Sequence, residues 1–564
     1  MKNLLQLLSV VLGWSREIPR ARAVVALATV SSLLAGIGYT GLIALVKTIL
    51  SDGLTSEPRT MWTFFALCII IPVCGFASQL LLMNLTARAT YHLRVQLSRQ
   101  ILSAPLRLLE RLGAHRLLAT INQDIPTVIE VVTLVPQMLT QLAMMAGCLF
   151  YLGWLSWKLL LILLGYMTLG LLSHQLPLMR AFRYFRLLRE QWDSMHKAIR
   201  GLIEGTKELK LNARRREAFL AQQLEPAARG IWRYGMRGNG IAMAVSNWGQ
   251  ILFFIFIGLL LFVTPLFVAA EPKTFIGYTL VVLFLITPLT MILNQIPALE
   301  RAYVAAEKIK SLGLSLSARP PESLGAAPVA DPDWRRLELA DVTHTYRQES
   351  GEEFRLGPVS LTLSPGELVF ITGGNGSGKT TLAKLLTGLY EPESGEIRVD
   401  GRPVTPEERD EYRQRFSVVF YDFYLFERLF GLEAADLDTR GQRYLDLLQL
   451  GHKLQIKDGA LSTIELSQGQ RKRLALLAAY LEDRPVYVFD EWASDQDPAF
   501  KQVFYYQLLP ELKARGKAVV IISHDDRYYG LGDRLIKLES GRIEYDRPTV
   551  APDEELRLAQ APLA

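Results

Sequence analysis

Six long stretches without any charged residue dominate the first 300 positions of this 564-residue chain. They cover residues 23–46, 60–87, 131–157, 159–179, 238–270 and 274–299. A helix needs roughly 20 apolar residues to cross the hydrocarbon core of a bilayer, so each stretch is long enough. Because six such runs are improbable in a soluble enzyme, the pattern predicts six membrane-spanning helices surrounded by lipid.

Lysine and arginine are unevenly distributed among the connecting segments. Segments 51–59 and 271–273 and position 158 hold one Lys or Arg each, whereas segments 88–130 and 180–237 hold many. The positive-inside rule therefore places these two long segments, and both termini, in the cytoplasm. Helical spacing continues over residues 86–112 and 175–211, so we expect the spans to extend as helices beyond the membrane.

Composition changes this picture little. The net charge is +6, but most of the excess lies beside the apolar runs, as it does in cytoplasmic loops next to a membrane. The sequence contains no basic-aromatic module, so we expect no nucleic-acid partner. Cys68, Cys74 and Cys148 lie inside apolar runs, and their spacing fits neither a metal site nor a disulfide framework.

The pattern changes after residue 300. Residues 318–333 contain four prolines and one glycine, which indicates a linker. The remainder reads like a soluble α/β protein. We therefore predict a multi-domain membrane protein with a six-helix transmembrane domain over residues 1–317, a linker over 318–335 and an α/β nucleotide-binding domain over 336–564.

A phosphate-binding loop follows the buried-strand pattern of residues 368–372. It has the form G-x-x-x-x-G-K-[ST] between a strand and a helix, so its amides and the helix start can hold phosphates. Lys379 is expected to reach the β- and γ-phosphates, and the Thr380 hydroxyl to ligate Mg²⁺. The predicted ATP-binding residues of the loop are Gly373, Gly374, Asn375, Gly376, Ser377, Gly378, Lys379, Thr380 and Thr381.

Two carboxylates end a second buried-strand pattern, at residues 485–491. In a P-loop fold an aspartate at such a strand end holds Mg²⁺, which is the predicted role of Asp490. The next residue, Glu491, lies where it can accept a proton from the attacking water. The pair predicts a site that hydrolyses ATP.

Residues 466–470 read Leu-Ser-Gln-Gly-Gln and open a helical segment. This run resembles the signature of ABC (ATP-binding cassette) transporters, with Gln468 in place of the usual glycine. A serine hydroxyl and the amides of a helix start make a second anion site. The resemblance implies that this site faces the ATP held by another cassette, and it assigns ATP contacts to Ser467, Gln468, Gly469 and Gln470.

The same resemblance extends to three further motifs. It implies that Tyr346 stacks on adenine, that Asp497 lies in the D-loop and that His524 contacts the γ-phosphate. With one cassette and six spans per chain, two chains must pair to complete both ATP sites. A homodimer is the economical inference, and a heterodimer with a related half-transporter is the alternative.

The expected Q-loop departs from the family pattern. Tyr421 stands where the family has glutamine, and Asp422 is adjacent. One hypothesis is that Asp422 takes over part of the metal contact through its oxygen ligands. The alternative is that Asp422 only turns or caps the loop.

The Q-loop segment and residues 490–498 are similar to those of bacterial half-transporters for cyclic peptides, including exporters of pyoverdine precursors and syringomycin-type lipopeptides. The resemblance implies an exporter fold in the bacterial inner membrane and a peptide-like or amphipathic substrate. It also implies short coupling helices that touch the cassettes, with residues 104–113 and 204–219 as candidates. Two alternatives are a lipid or lipopeptide flippase, and a non-pumping ATP-gated regulator, which has no need for an intact hydrolytic site.

Polar residues within the spans are candidates for a substrate cavity, because polar groups avoid lipid. Hydrogen bonding between helices is the alternative explanation for them. The candidates are Asn247, Gln250, Asn294 and Gln295.

Overall fold

The computed structural model describes residues 21–51, 58–268, 271–316, 333–347, 353–432 and 436–549. The predicted linker lies outside the described residues up to position 332. Two compact units are present. One comprises residues 1–95 and 119–311, and the other comprises residues 96–118 and 312–564.

The described part of the first 316 residues is helical apart from short breaks between consecutive helices. The helices in chain order are α1 (Ala21–Ser51), α2 (Pro58–Leu102), α3 (Leu106–Leu112), α4 (Ala114–Ala119), α5 (Ile125–Leu155), α6 (Trp157–Glu204), α7 (Thr206–Leu211), α8 (Ala213–Phe219), α9 (Glu225–Gly258), α10 (Thr264–Phe267) and α11 (Pro272–Leu316). Single π-helical turns at Thr120–Asp124, Leu220–Leu224 and Leu259–Val263 join consecutive helices into longer rods.

Five helical stretches are long and apolar enough to cross a membrane, counted over the described residues. They are Ala23–Leu50, Pro58–Leu102, Ala114–Leu155, Ala213–Phe267 and Pro272–Leu312. The fourth predicted span, residues 159–179, lies within α6. Its apolar helical stretch, counted over the described residues, is Trp157–Gly170, which is shorter than the other five stretches. The membrane crossing of residues 159–179, which would bring the number of spans to six, therefore stays a prediction.

The two long cytoplasmic helices predicted from sequence are interrupted. Over residues 86–112, α2 ends at Leu102 and α3 begins only after Pro105. Proline pushes the residue before it out of the helical region, which explains this break. Over residues 175–211, α6 ends at Glu204, and Gly205 separates it from α7.

Close helix packing in the membrane unit depends on small residues. A Cβ on Gly36 of α1 would lie 2.7 Å from the Thr140 carbonyl oxygen of α5. A Cβ on Gly147 of α5 would lie 2.5 Å from the Thr40 hydroxyl of α1. Small residues at such crossings let two helix backbones approach, and this contact is how α1 and α5 pack in an apolar solvent.

One of the four polar cavity candidates makes a contact between helices. The Gln295 amide of α11 donates to the Gln137 side-chain oxygen of α5, at 3.5 Å. This contact favours the helix-pairing explanation for Gln295. The cavity assignment of Asn247, Gln250 and Asn294 remains a prediction.

The second unit contains two sheets and a strand pair. Its strands are β1 (Leu337–Arg347), β2 (Glu353–Leu363), β3 (Leu368–Gly373), β4 (Ser394–Val399), β5 (Arg402–Pro403), β6 (Phe416–Val419), β7 (Ile456–Lys457), β8 (Ala460–Leu461), β9 (Val486–Asp490), β10 (Ala518–Ile522), β11 (Arg534–Glu539) and β12 (Arg542–Pro548). Its helices are α12 (Lys379–Leu386), α13 (Arg409–Arg413), α14 (Leu437–Leu447), α15 (Gln468–Glu482), α16 (Pro498–Val503) and α17 (Leu509–Ala514).

The larger sheet has the order β12-β11-β3-β10-β9-β6, and the smaller has the antiparallel order β2-β1-β4-β5. Within the larger sheet, β11, β3, β10, β9 and β6 are parallel, and β12 closes the edge as an antiparallel strand. Every residue of β9 and β10 is buried. Strands covered on both faces read as continuous apolar runs, which is why the sequence showed them so clearly.

The short helix α3 packs against the sheet-containing part of its own unit. The Arg107 guanidinium donates to the Thr345 carbonyl at 2.7 Å and pairs with Glu393 at 2.9 Å. The Glu110 carboxylate accepts from the Lys384 ammonium at 2.7 Å and also from the Tyr390 hydroxyl. This helix lies in the first predicted coupling segment, residues 104–113. The coupling role of both segments, residues 104–113 and 204–219, stays a prediction.

Candidate nucleotide site

The parallel strands bring distant parts of the sequence to one edge of the larger sheet. Parallel strands end at the same edge, and ligands bind beyond their carboxyl ends in sheets of this kind. The structure pairs Ile371 of β3 with Ile522 of β10, and Ile522 with Asp490 of β9. The phosphate-binding loop, the Asp490–Glu491 pair and His524 therefore leave the sheet side by side.

The phosphate-binding loop is shaped by backbone that only glycine adopts easily. Gly373 has φ +149°, and a Cβ there would lie 2.1 Å from the Leu538 carbonyl oxygen. The loop ends at Gly378, with φ +101°, and Lys379 is the first residue of α12. The amides of the loop thus lead directly into a helix start, which is the arrangement that binds phosphate.

Lys379 lies inside this loop. Its ammonium group donates to the carbonyl oxygens of Gly373, at 2.9 Å, and Gly374, at 3.0 Å. Burial lowers the pKa of this ammonium, and the charges of Glu491 and Asp490 oppose the shift. The sequence-predicted Lys379, Asp490 and Glu491 are therefore close enough to interact electrostatically.

Asp490 is almost fully buried at the end of β9. Neither of its carboxylate oxygens has a well-formed hydrogen bond among the described residues, although the Thr380 hydroxyl is close enough to oppose the rise of its pKa. Burial raises the pKa of this carboxyl. A buried, unpaired carboxylate is costly, so it fits a position where a cation completes the site.

Glu491 and His524 lie side by side in the wall of a small cavity. The His524 Nε2 atom lies 3.3 Å from a Glu491 carboxylate oxygen, and both side chains are partly exposed. The cavity has a volume of about 270 Å³, and Ser494, Lys501 and Asp525 are among its other lining residues. Glu491 itself has φ +50°, an uncommon conformation for a residue with a side chain. The predicted base and the predicted γ-phosphate contact thus share one cavity.

The signature residues lie at the start of α15. Ser467 is its N-cap, and the Gln470 amide N–H donates to the Ser467 hydroxyl oxygen at 3.5 Å. The Ser467 N–H donates in return to the Gln470 side-chain oxygen at 3.3 Å. Such a reciprocal capping box fixes the first turn of a helix. The hydroxyl, the helix start and Gly469 are therefore presented as one ordered surface.

The D-loop residue Asp497 caps the next helix. It accepts from the Phe500 backbone N–H at 2.9 Å and pairs with the guanidinium group of Arg473. The Phe500 amide, with Arg473, lowers the pKa of the Asp497 carboxyl. Gln496 joins the two motifs, because its side-chain amide donates to the Gly469 carbonyl at 3.0 Å. The signature and the D-loop thus form a second group of predicted residues.

Tyr346 and the Q-loop segment complete the predicted set. Tyr346 is on β1 in the smaller sheet and is 46% exposed, so its ring is accessible for stacking. Tyr421 and Asp422 follow β6, whose Val419 pairs with Phe489 of β9. The charge of Asp422 contributes to raising the Asp490 pKa, which places Asp422 near the predicted metal position.

Sequence reasoning missed Lys472, on the second turn of α15. Its side chain is 1% exposed. It is on the same face as the buried Leu476 and Tyr480, four and eight residues later. A lysine on the buried stripe of an amphipathic helix is an available signal, since buried charges need specific partners.

The fold and the site together define a class. Residues 25–289 match the ABC transporter transmembrane region, and residues 356–494 match the ABC transporter family. The chain is also 35% identical over 530 residues to the ATP-binding protein SyrD of Pseudomonas syringae pv. syringae, covering 92% of this chain and 93% of SyrD. The chain therefore belongs to the ABC transporters.

More distant similarity points to a second group of proteins. The chain is 26% identical over 552 residues to the ATP-dependent lipid A-core flippase of Burkholderia pseudomallei (strain 1710b), covering 92% and 88% of the two chains. The corresponding flippase of Dechloromonas aromatica (strain RCB) is 27% identical over 531 residues, with coverage of 88% and 87%.

The transmembrane region and the ATP-binding cassette lie on the same chain. The protein is therefore a multi-pass membrane transporter of the half-transporter type.

Proposed function

We propose that this half-transporter is an ATP-hydrolysing exporter that moves a peptide-like natural product out of the bacterial cytoplasm. The cargo would be a cyclic peptide, a lipopeptide or a siderophore precursor. The observation that carries the proposal is the pairing of Glu491 with His524, 3.3 Å apart beside the phosphate-binding loop. A transporter that only bound ATP would have no use for this pair.

Each predicted nucleotide-binding or catalytic residue has a proposed task. The loop amides and Lys379 hold the β- and γ-phosphates, and Tyr346 stacks on adenine. Glu491 accepts the proton of the attacking water, and general-base catalysis of this kind is typically worth about 10²–10⁴ in rate. His524 orients Glu491 and contacts the γ-phosphate.

A magnesium ion fits the residues at this edge. Mg²⁺ in phosphate-transferring sites is usually held by one or two carboxylates together with substrate phosphates. Asp490 supplies a buried carboxylate, and Thr380, whose hydroxyl interacts with it, is the second residue of the adjacent helix α12. Asp422 is the proposed additional oxygen ligand. When bound, the metal would neutralise developing negative charge on the phosphates.

The proposed working unit is a homodimer in the bacterial inner membrane, with both termini cytoplasmic. Ser467, Gln468, Gly469 and Gln470 of one chain would face the ATP held by the phosphate-binding loop of the other, with Asp497 close by. ATP would then favour the state in which the cassettes are joined, and its hydrolysis would reset the pair. A ligand shifts such an equilibrium only by binding one state more tightly, and a shared site provides that difference.

Two observations support different cargoes. The Tyr421-Asp422 segment and residues 490–498 resemble the corresponding segments of exporters of cyclic peptides and lipopeptides. The chain is also more similar to SyrD, at 35% identity, than to the lipid A-core flippase of Burkholderia pseudomallei (strain 1710b), at 26%. The lipid A-core flippases support the second candidate, in which the chain moves a lipid or lipopeptide between leaflets.

The test compares secreted metabolites and envelope lipids of three strains: the wild type, a deletion of this gene and Glu491→Gln. Glu407→Gln, at an exposed position outside the motifs, is the matched control. Loss of one secreted peptide in the deletion and Glu491→Gln strains alone would identify the cargo and support the exporter. Unchanged peptides with altered envelope lipids would replace it with the flippase.

A parallel measurement tests hydrolysis. Purified Glu491→Gln protein should bind ATP with nearly normal affinity while steady-state turnover falls roughly 100-fold or more. Normal turnover in this variant would remove Glu491 from its proposed role as the base.

A further inference from the structure

A buried lysine holds the segment that begins at the proposed catalytic glutamate. Lys472 lies on the second turn of α15, and its ammonium group donates to the Glu491 carbonyl oxygen at 3.0 Å and the Ser494 hydroxyl at 3.0 Å. The same group pairs with the Asp495 carboxylate at 2.7 Å. An ammonium has three protons, and these three partners use all of them.

The main chain of Lys472 also contacts this segment. The fully buried Trp492 donates its indole N–H to the Lys472 carbonyl oxygen at 2.7 Å. Trp492 also packs against Phe504, with ring centroids 4.3 Å apart. Both ends of Lys472 are therefore attached to the residues that follow Glu491.

These contacts act on a strained piece of backbone. Glu491 has φ +50°, in the left-handed region that side-chain-bearing residues rarely adopt. Such a conformation persists only when the surrounding structure holds it in place. The Lys472 hydrogen bond to the Glu491 carbonyl fixes the peptide that leaves this residue, and so fixes where its carboxylate points toward His524.

The lysine also faces the loop in which Tyr421 replaces glutamine. Its ammonium lies 5.1 Å from the centroid of the Tyr421 ring, within the range of a cation–π contact. Tyr421 is 53% exposed, so this contact can form or break without disturbing the core.

We propose that Lys472 is a positioning residue for ATP hydrolysis, which holds Glu491 in its active orientation and links it to the Tyr421 loop. The proposal rests on the hydrolytic function proposed above. Lys472 does not touch the reacting atoms. It acts through the backbone of Glu491, so its removal should lower kcat and leave nucleotide binding nearly unchanged.

The test uses the full-length protein in lipid nanodiscs. The Lys472→Met variant keeps the length of the side chain and removes its charge and donors, and Lys453→Met, at an exposed lysine, is the matched control. We expect kcat of Lys472→Met to fall roughly 10-fold to 100-fold, because small misplacements of a catalytic group have effects of this size. KM for ATP should change less than about threefold, since only transition-state interactions are lost. A fall in kcat no larger than that of Lys453→Met would refute the proposal.

Hydrogen–deuterium exchange separates this proposal from the proposed hydrolysis. In Lys472→Met, the backbone amides of residues 491–496 should exchange faster than in the wild type and in Lys453→Met. Unchanged exchange there would overturn the positioning role, even if the wild type proved inactive as an ATPase. A wild type without turnover, but with accelerated exchange in Lys472→Met, would overturn the proposed hydrolysis and leave the structural role of Lys472 standing.

A second pair of variants guards against a Lys472 variant that fails to fold. Tyr421→Leu removes the aromatic ring at a half-exposed position, and Tyr421→Phe keeps it. We expect Tyr421→Leu to lower kcat a few-fold more than Tyr421→Phe, with similar KM values, because only the ring carries the cation–π contact. Equal kcat values for the two variants would show that the lysine is not linked to this loop.

Discussion

Replacing Glu110 by glutamine should loosen the short helix α3 from the cassette. This helix has seven residues and no side-chain cap. Isolated helices shorter than about 12–15 residues are marginal in water, so α3 depends on its contacts for stability. The Glu110 carboxylate supplies two of them, to the Lys384 ammonium at 2.7 Å and to the Tyr390 hydroxyl.

The size of the effect follows from the exposure of the pair. Hydrogen bonds to charged groups contribute about 1.5–3 kcal/mol each when well shielded, and exposed ion pairs contribute less than about 1 kcal/mol. Glu110 is 34% exposed and Lys384 is 15% exposed, which lies between these limits. We therefore expect Glu110→Gln to cost about 1–2 kcal/mol of docking free energy.

Hydrogen–deuterium exchange of the α3 amides measures this cost directly. A loss of about 1–2 kcal/mol corresponds to exchange roughly 5–30 times faster, if exchange proceeds through undocking. Lys384→Met should accelerate exchange as well, and the double variant should exchange more slowly than the sum of the two effects predicts, because the partners share one interaction. Arg111→Gln, at an exposed position of the same helix, is the control.

Two results would contradict this reasoning. Exchange in Glu110→Gln within twofold of the wild type would show that the carboxylate does not hold the helix. Equal acceleration by Arg111→Gln would show that any change of charge on α3 has the same effect. If the prediction holds, the same variants can test whether α3 is a coupling helix, by comparing substrate-stimulated with basal ATP hydrolysis.

Three further predictions concern the nucleotide site. Gly373→Ala should cost about 3 kcal/mol and abolish binding of a fluorescent ATP analogue, because the new Cβ would overlap the Leu538 carbonyl; Gly240→Ala, outside the nucleotide site and with no atom within 4 Å of its Cβ, should bind the analogue normally. Asp422→Ala should lower Mg²⁺-dependent turnover on the order of 10-fold if this residue assists the metal; unchanged turnover would leave it a loop residue only. Asp490→Asn should raise the Tm of the nucleotide-free protein at pH 8, because burial raises the folded-state pKa of this carboxyl and ionising it costs stability. That gain should shrink as the pH falls through the raised folded-state pKa, and it should disappear only well below the ordinary aspartate pKa of about 3.9, where Asp490 is protonated in both states; a gain independent of pH would refute the electrostatic cause.

The sequence predicted the elements of the site because each motif has its own local pattern. The apolar run ending at residue 372 and the glycines that follow require a strand, a turn and a helix start, whatever surrounds them. The same holds for the buried strand ending at Asp490 and for the N-cap Ser467. The structure has each of these elements, with α12 starting at Lys379 and α15 at Gln468.

Residues that act through tertiary contacts were less accessible. Lys472 looks like one more basic residue between Arg471 and Arg473 in the sequence. Its spacing with Leu476 and Tyr480 indicates an inward position, but only the packing of α15 shows that its partners are Glu491 and Asp495. The breaks after Leu102 and Glu204 were missed as well, because helical spacing on either side of each break is continuous.

The sequence by itself determined that this protein has a membrane half and a nucleotide half. Both conclusions rest on local properties: the length of uncharged runs against the thickness of a bilayer, and the spacing of glycines around a lysine. The tertiary structure decided which distant residues act together. Parallel strands bring Lys379, Asp490 and His524 to one edge of a sheet. Lys472 is buried close to this edge, where its ammonium group contacts Glu491, Ser494 and Asp495. The proximity of these residues depends on strand order and helix packing. Neither can be deduced from a single stretch of the sequence, because both involve residues that are far apart in the chain.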